Sequence, residues 1–400
     1  MAQTNACLYV QRGIAVFFEY DTPKIVHIKS KSIGIFNRLV QLAIIGYIIG
    51  WVFIYKKGYQ LEDVGVSGTT TKVKGVAYTK DPRVGNQKLW DSTDIVVPAE
   101  ENNAFFVMTN MIITNDQSPS ECAESPTVPG ANCTEDKDCL PINKPFLLGH
   151  GVTTGVCNKT TKTCMVEAWC PIEHDKLPTR YPVLNATKTF TVLIKNHVYF
   201  PYYKKTRSNI VESTNASYLQ GCNYDAANDP FCPVFRLGYI VDHAQQQMEK
   251  KQTYDDMAYE GGVVSIRISW DCNFDYDPLL CKPKYSFDRL DKGEDSLIAK
   301  GYNYRFSHNY FQNDVQKRQL IKAYGILFII TMDARAAAFN VIPTLQNIGS
   351  GLALLSIATI VCDVFVLYLH KKRKFFRSHK YEEVTNTDAF SIMEDDDEDM

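Results

Sequence analysis

The sequence predicts a membrane protein with two transmembrane helices flanking a large, disulfide-rich, mostly β extracellular domain. Two segments, Leu39–Tyr55 and Ala336–Cys362, carry no charged residue over 17 and 27 positions. A helix needs about 20 apolar residues to cross a bilayer. Ten of the 12 cysteines lie between these segments, which is typical of disulfides in an extracellular region. The same region contains four N-x-Ser/Thr glycosylation sequons, at Asn132, Asn158, Asn185 and Asn215.

The first apolar segment reaches spanning length as residues 33–55, if Arg38 extends its charge to the membrane interface. It begins too far into the chain for a cleaved signal peptide, and no small-residue cleavage site follows it. The second span is predicted as residues 336–369, which leaves room for tilt. A buried core helix is the alternative for both, but globular helices are seldom apolar on every side for so long.

Basic residues determine the predicted orientation of the two spans. Four precede the first span and six follow the second, against Lys56 and Lys57 on the opposite side. Because positive flanks face the cytosol, both termini are predicted to be cytosolic in a multi-pass plasma-membrane protein. The cytosolic arm is then residues 1–32, the extracellular domain 56–335, and the tail, with its acidic end, 370–400.

The cysteines of the extracellular domain fall into one crowded group and two close pairs. Six lie in the subdomain 122–170, which is poor in apolar residues and so needs covalent cross-links. A zinc site is disfavoured because no C-x-x-C pair occurs and the compartment is oxidising. Spacing leaves fifteen possible pairings of the six. Cys222 with Cys232, and Cys272 with Cys281, would each close a short loop.

Most of the extracellular domain has the pattern of β-strands. Segments rich in β-branched and aromatic residues alternate with Pro, Gly, Asn and Asp. They are Thr69–Val76, Phe105–Thr114, Thr189–Lys195, Gly262–Trp270 and Gln319–Ile326. A net charge of −2 argues against a nucleic-acid binder. There is no Walker loop, nucleophile elbow or paired catalytic constellation, so no enzyme and no catalytic residue is predicted.

Eight short motifs connect the chain with a known family. They are Tyr20-Asp-Thr-Pro-Lys24, Gly50-Trp-Val-Phe53, Lys72-Val-Lys-Gly75, Thr163-Cys-Met-Val-Glu-Ala-Trp-Cys170, Asp229-Pro-Phe-Cys-Pro233, Gly301-Tyr-Asn-Tyr-Arg-Phe306, Leu320-Ile-Lys-Ala-Tyr-Gly325 and Ile342-Pro-Thr344. On these motifs, from about Phe17 to Lys380, the chain resembles the ionotropic purinergic receptors, the ATP-gated cation channels called P2X receptors.

The resemblance implies a trimer of two-span subunits, either a homotrimer or a heterotrimer with related subunits, in the lipid bilayer. It implies ATP as the ligand, alone or with Mg²⁺, and no cofactor. Non-selective permeation of Na⁺, K⁺ and Ca²⁺ follows from the same resemblance. It also implies the disulfides Cys122–Cys170, Cys133–Cys157, Cys139–Cys164, Cys222–Cys232 and Cys272–Cys281.

ATP carries about four negative charges, so its site needs several fixed cations. Lys72 and Lys74 are two residues apart on a predicted strand, which puts both ammonium groups on one face. Asn303 and Arg305 repeat that spacing, and Lys322 lies on a third strand. Each alone is more often a solvated surface charge. The resemblance implies that all five bind phosphate between subunits, the lysine pair from one subunit and the Asn-x-Arg group from its neighbour.

The nucleotide base needs a flat apolar slot with a few polar contacts. The spacing predicts that Thr191, Leu193 and Lys195 share one strand face. The resemblance implies that Thr191 and Lys195 lie at the adenine end, with Leu193, Leu219 and Val234 as apolar lining. Ordinary core packing is the open alternative for these three apolar residues.

The second span carries a narrow polar stripe that includes Gln346, Asn347 and Ser350. Unpaired amides are costly against lipid, so the stripe should face other helices or water. Helix packing through small residues is one interpretation and a pore wall is the other. The resemblance implies a pore constriction at Asn347–Ser350. Asp363, at the inner end, would attract cations or bind a neighbouring subunit.

The segment Asp333–Ala338 departs from the family pattern, in which a Gly- and Lys-containing link enters the second span. Alanine is stiffer than glycine, so we expect altered gating speed or ATP sensitivity. Three rival functions remain open at this stage. They are a two-span trimeric sodium channel of the acid- or peptide-gated class, a membrane-anchored enzyme acting on nucleotides, and a non-conducting subunit of an ATP-gated heterotrimer. The first gives no reason for the cationic set, and the second lacks a catalytic constellation.

Overall fold

The computed structural model describes residues 30–84, 89–139, 141–146, 148–174, 181–210, 216–245, 253–291 and 301–380. Most of the predicted cytosolic arm, the acidic end of the tail and the sequon at Asn215 lie outside these residues. The chain divides into two compact units. One combines Met1–Leu61 with Phe339–Met400, and the other is Glu62–Ala338.

Within the described residues the helices are α1 (Lys31–Gly46, continuing as a π-helix over Tyr47–Tyr55), α2 (Ser92–Ile95), α3 (Ala216–Gly221), α4 (Leu237–Ala244), α5 (Tyr254–Glu260), α6 (Val341–Val364, continuing as a π-helix over Phe365–Leu369) and α7 (Arg373–Lys380). The strands are β1 (Gln60–Val64), β2 (Val66–Lys74), β3 (Val76–Tyr78), β4 (Leu89–Asp91), β5 (Ala104–Ala123), β6 (Gly151–Asn158), β7 (Thr163–Cys170), β8 (Thr191–Phe200), β9 (Lys205–Ser208), β10 (Val234–Arg236), β11 (Gly262–Asn273), β12 (Lys284–Arg289), β13 (Asn303–Gln312) and β14 (Val315–Phe339).

Two helices of the first unit are long and apolar enough to cross a membrane, Lys31–Tyr55 with 25 residues and Val341–Leu369 with 29. At 1.5 Å per residue the shorter one extends about 37 Å, against a hydrocarbon core of about 30 Å. The second helix begins at Val341 and not at the predicted residue 336. The difference arises because residues 336–339 continue β14, and the side chain of Asn340 then caps α6 by accepting from the Ile342 backbone N–H at 2.9 Å.

The two long helices contact each other closely through a glycine. A Cβ atom added at Gly351 would come within 3.1 Å of Ile48 Cδ1, so the helix backbones approach through the missing side chain. Further along, the rings of Phe36 and Phe365 stack with centroids 4.3 Å apart. Packing of this kind fixes how one helix lies on the other and leaves the rest of each surface for other partners.

The second unit is built on an eight-stranded sheet with the order β12-β11-β14-β5-β7-β6, in which β1 and β13 also pair with β14. β14 runs parallel to β11 and antiparallel to β5 and β13. Successive residues of β14 point to opposite faces of the sheet, and Ile326, Phe328 and Ile330 are all buried on one of these faces. This apolar face explains why β14 lies inside the sheet. Burying each such side chain contributes about 1.5–3 kcal/mol. β14 is much longer than the predicted strand 319–326.

A second sheet has the order β10-β8-β2, with β9 also paired to β8. β8 alternates strictly, so Val192, Ile194, Asn196 and Val198 are buried on one face while the residue between each two of them faces outward. β2 alternates in the same way, with Val73 packed against the core and the neighbouring lysines exposed. This alternation positions the candidate site, because it puts every second residue of both strands on the outer face.

The cysteine-rich subdomain has its own small core, which includes Val128, Phe146 and Val166. The ten cysteines between the long helices pair as Cys122–Cys170, Cys133–Cys157, Cys139–Cys164, Cys222–Cys232 and Cys272–Cys281, the pairings that the resemblance implies. Three of these disulfides lie in or beside the small core. They supply the constraint that so few apolar side chains cannot supply.

The asparagines of the described sequons differ in their exposure and hydrogen bonding. Asn132 and Asn185 are exposed. Asn158 is half-buried, and its Oδ1 accepts hydrogen bonds from the backbone N–H groups of Thr160 at 2.9 Å and Thr161 at 3.3 Å. Glycosylation at these positions stays a prediction.

Candidate functional site

One group of predicted site residues lies on the outer face of the β10-β8-β2 sheet. Lys72 lies directly opposite Leu193, and Lys74 lies opposite Thr191. Opposed residues of antiparallel strands project to the same side of a sheet. Both lysines are exposed, while Thr191 and Leu193 are half-buried. The structure therefore brings the lysine pair and the predicted adenine-end residues onto one surface.

The register of the neighbouring strands adds to this surface. Thr70 lies opposite Lys195, and Val234 of β10 lies opposite Leu193. Arg236 lies opposite Thr191 and is exposed. We call this surface the lysine face; its members are Lys72, Lys74, Thr191, Leu193, Lys195, Val234 and Arg236. Arg236 was missed by the sequence analysis, although its spacing of two from Val234 would have placed it in phase.

A second group lies on the large sheet, where β13 pairs with β14. Arg305 lies directly opposite Lys322, and Asn303 lies opposite Tyr324. We call these four residues the arginine face. Lys322 is only 7% exposed, and its Nζ lies 5.2 Å from the centroid of the Tyr324 ring. A cation over an aromatic face is stabilised by the ring quadrupole, which offsets part of the cost of burying the ammonium group.

Arg305 also engages a buried carboxylate. Its Nε donates to Glu173 Oε2 at 2.6 Å. Within the described residues, the other carboxylate oxygen of Glu173, Oε1, is buried without a hydrogen-bond partner. A buried carboxylate with one unsatisfied oxygen is costly, so Glu173 holds the guanidinium strongly. Glu173 was not predicted as a site residue, because nothing in the local sequence pattern links it to β13.

A second acid–base pair lies near this ion pair. The Nδ1 atom of His150 lies 2.6 Å from Oε1 of the buried Glu124. This hydrogen bond raises the pKa of His150 above its usual value of 6.5; burial opposes the rise, Glu173 adds to it and Arg305 reduces it. Burial raises the pKa of Glu124, but hydrogen bonds from His150 and Ser125 outweigh that effect and lower it overall. The charges of His150, Glu173 and Arg305 are therefore coupled.

Leu219 is the one predicted lining residue that belongs to neither sheet. It is half-buried on α3, next to the loop closed by Cys222–Cys232. The lysine face and the arginine face themselves belong to different sheets of the same chain.

Comparison with known proteins identifies the family. The profile of the ATP P2X receptor family matches residues 18–383, nearly the whole chain. The chain belongs to this family. It is 45% identical to P2X purinoceptor 4 of Bos taurus over 377 residues, a match that covers 92% of this chain and 94% of the relative.

Solved P2X structures share the fold. An invertebrate P2X receptor from the Gulf Coast tick, crystallised with ATP and Zn²⁺, matches at a TM-score of 0.75 and 44% identity, covering 83% of this chain and 100% of that one. The chicken ATP-gated P2X7 receptor channel, crystallised with the competitive antagonist TNP-ATP, matches at 0.71 and 34%, covering 83% and 99%. The fold class predicted from the sequence is confirmed, with two candidate spans flanking a β-rich, disulfide-rich extracellular domain.

Membership of the P2X family also decides between the rival functions. P2X receptors are ATP-gated cation channels and not enzymes, so the chain is a channel subunit and not a membrane-anchored enzyme acting on nucleotides. The acid- or peptide-gated sodium channels, which share the two-span topology, are a different family.

The residues predicted for the P2X pore lie on α6. The side-chain amide of Asn347 donates to the backbone oxygens of Gly58 at 2.7 Å and Pro343 at 3.0 Å. Ser350 is exposed and donates to the Gln346 oxygen at 2.8 Å, and Asp363 is half-buried. Within one subunit, the Asn347 amide is thus satisfied partly by the backbone just after the first long helix. Ser350 keeps an exposed position on the helix.

Proposed function

We propose that three copies of this P2X subunit, or this subunit with related ones, form a plasma-membrane channel opened by extracellular ATP. The channel would pass Na⁺, K⁺ and Ca²⁺, and both termini would be cytosolic. Family membership supports the trimer and the ligand, and the excess of basic residues outside the spans supports the orientation.

One observation carries the location of the ATP site: the cationic residues form two faces on different sheets of one chain. A site that uses both faces can be completed by two subunits, the lysine face from one and the arginine face from its neighbour. Lys72, Lys74, Arg305 and Lys322 would then match the roughly four negative charges of the nucleotide, with Asn303 as a neutral donor.

The base would lie on the part of the lysine face that is less charged. Thr191 offers a hydroxyl group, Leu193 and Val234 offer half-buried apolar surface, and Lys195 is exposed at the next outward position of β8. An apolar slot with few polar groups is the usual environment of a nucleobase. In this proposal Leu219 contributes lining from α3.

In this proposal Mg²⁺ would bind only together with the nucleotide. The phosphate-binding candidates offer four cations and one amide, whereas Mg²⁺ prefers carboxylate, phosphate and water oxygens. The nucleotide itself would therefore supply the ligands of the ion.

Opening would follow from tighter binding of ATP to the open arrangement of the subunits. β14 connects the site to the pore, because the strand that carries Lys322 continues to Phe339, and α6 begins two residues later. Three copies of α6 would line the pore, with the constriction at Asn347 and Ser350 and Asp363 at the inner end.

The test is whole-cell recording of ATP-evoked current with surface expression measured in parallel. Removing the Lys72 ammonium group should cost about 2 kcal/mol of ligand binding, so Lys72→Ala should raise the half-maximal ATP concentration roughly 30-fold. Lys284→Ala is the matched control, because Lys284 is an exposed strand lysine of the other sheet. It should respond like the wild type.

Two outcomes would contradict parts of this proposal. An unchanged response of Lys72→Ala at normal surface expression would remove the lysine face from the site. Absence of current from the wild-type subunit expressed alone, with current restored by a related P2X subunit, would favour the non-conducting subunit of a heterotrimer.

A further inference from the structure

An exposed apolar loop lies at one end of the large sheet. It is formed by residues 274–282 of the connection between β11 and β12, and we call it the 274–282 loop. Tyr276, Leu279 and Leu280 are 68%, 61% and 71% exposed. Single exposed apolar side chains are ordinary, but three within five residues form a patch that usually has a partner.

The strand register places this loop at the end where the chain leaves the sheet for α6. β11 runs parallel to β14, with Cys272 opposite Ala336 and Asn273 opposite Ala337. Beyond the strand, Phe274 N–H donates to the Ala337 oxygen at 2.9 Å. Since the strands are parallel, the loop extends in the direction in which β14 continues. From Ala338 to the first residue of α6 is three residues, at most about 10 Å of chain.

The loop is held in shape, so its apolar side chains stay at the surface. The disulfide Cys272–Cys281 closes its base. The Asp277 carboxylate accepts a hydrogen bond from the Leu279 backbone N–H at 2.9 Å. The Asp277 backbone oxygen accepts a second one from the Leu280 N–H at 3.0 Å. A loop constrained in this way cannot fold its leucines inward to escape water.

The neighbouring turn between β8 and β9 has a related composition. The Tyr203 hydroxyl accepts from the Ala338 N–H at 3.0 Å, which places this turn at the same end of the sheet. Tyr202 and Lys204 on the turn, and Lys282 on the loop, are exposed. Tyrosine beside aliphatic residues and lysine is the composition of membrane–water interfaces, where lysine extends its charge into water.

We propose that the 274–282 loop contacts the outer leaflet of the bilayer, with Tyr276, Leu279 and Leu280 at the boundary between headgroups and acyl chains. Asp275 and Asp277 limit the depth, because a carboxylate in hydrocarbon is strongly unfavourable. The contact is therefore interfacial, like that of an amphipathic surface segment, and adds a third attachment of each subunit to the lipid.

The test uses the full-length protein in lipid nanodiscs and a tryptophan as a depth probe. Leu279→Trp is compared with Phe311→Trp in phosphatidylcholine with and without bromine on the upper acyl chain, which quenches nearby indoles. Phe311 is 76% exposed next to the turn before β14, about 70 Å along the strand from Ala337. The four native tryptophans give both variants the same background.

Brominated lipid should reduce the emission of the added tryptophan at position 279 by about half and leave that at 311 unchanged. Equal, small quenching of both variants would overturn the proposal. A blue-shifted but unquenched emission at 279 would also overturn it, by showing contact with protein instead of lipid. Leu280→Trp provides a second probe if the first variant folds poorly. The measurement needs no ATP, so it stands apart from the test of the ligand site.

Discussion

The lysine face and the arginine face carry similar charges in different settings. Lys72 and Lys74 project from an exposed strand surface. On the arginine face, Lys322 is buried over Tyr324, and Arg305 is held by Glu173 at 2.6 Å. An anion can approach the first face directly, whereas at the second it must exchange partners with a carboxylate. The difference suggests that the lysine face captures the nucleotide and that the arginine face couples its binding to rearrangement.

The largest effect should come from Lys322. Lys322→Met keeps an apolar stem in the buried position and removes the charge, so phosphate binding should weaken by about 3 kcal/mol, a shift of roughly 150-fold in half-maximal ATP concentration. ATP concentration–response curves, with surface biotinylation as the folding control, measure it. Because the position is buried, we expect a larger shift than for Lys72→Ala. A shift smaller than that of Lys72→Ala would contradict the expectation that the buried lysine contributes more to ATP binding than the exposed one.

Glu173 should act in the opposite direction. In Glu173→Gln the neutral amide competes less well than a carboxylate for Arg305, so half-maximal activation should need about 5-fold less ATP, equivalent to about 1 kcal/mol. The paired variant Glu173→Gln with Arg305→Ala should show no gain over Arg305→Ala alone. A gain of the same size in both backgrounds would mean that Glu173 acts elsewhere.

Arg236 tests whether the lysine face extends to β10. Its guanidinium lies opposite Thr191 at the proposed adenine end, so Arg236→Gln should raise the half-maximal ATP concentration about 3-fold, a change of about 0.7 kcal/mol. The same recordings measure it. The matched control is Arg267→Gln, at an exposed arginine of β11 in the other sheet. Equal shifts in the two variants would mean that the lysine face is limited to β2 and β8.

A separate effect should be on stability and not on ATP sensitivity, through the His150–Glu124 pair near the arginine face. The raised pKa of His150 means that its contribution is complete below 6.5 and disappears as pH rises through the folded-state value. The lowered pKa of Glu124 means that its contribution is complete above 4.5 and disappears at lower pH. Between these values His150→Gln should cost about 1–2 kcal/mol, and at pH 9 much less.

Thermal unfolding of the detergent-solubilised protein across pH 4–9 measures this difference. His308→Gln, at an exposed histidine of β13, is the control and should leave the pH profile unchanged. A cost for His150→Gln that stays constant with pH would show that the pair stabilises without its charges.

The sequence was informative where local periodicity carried the information. Lys72 and Lys74 could be assigned to one face because a strand has a period of two, and the register confirms that spacing. Glu173 and Arg305 are 132 residues apart, and no local pattern records a contact made by folding. The start of α6 was misplaced because alanine favours a helix and the uncharged residues 336–339 extend the apolar segment, whereas pairing of Ala336 and Ala337 with β11 keeps these residues in β14.

β14 also limits which insertions and deletions the chain can tolerate. The strand is continuous from Lys322 to Phe339, and neighbouring residues of a strand point to opposite faces. Adding or deleting one residue between Ile326 and Ala337, where β14 pairs with β11 without a register shift, would turn the residues on one side of the change to the wrong face. Substitutions are tolerable there, but the number of residues between the proposed nucleotide site and α6 is not adjustable, so variation in response must come from side chains and not from chain length.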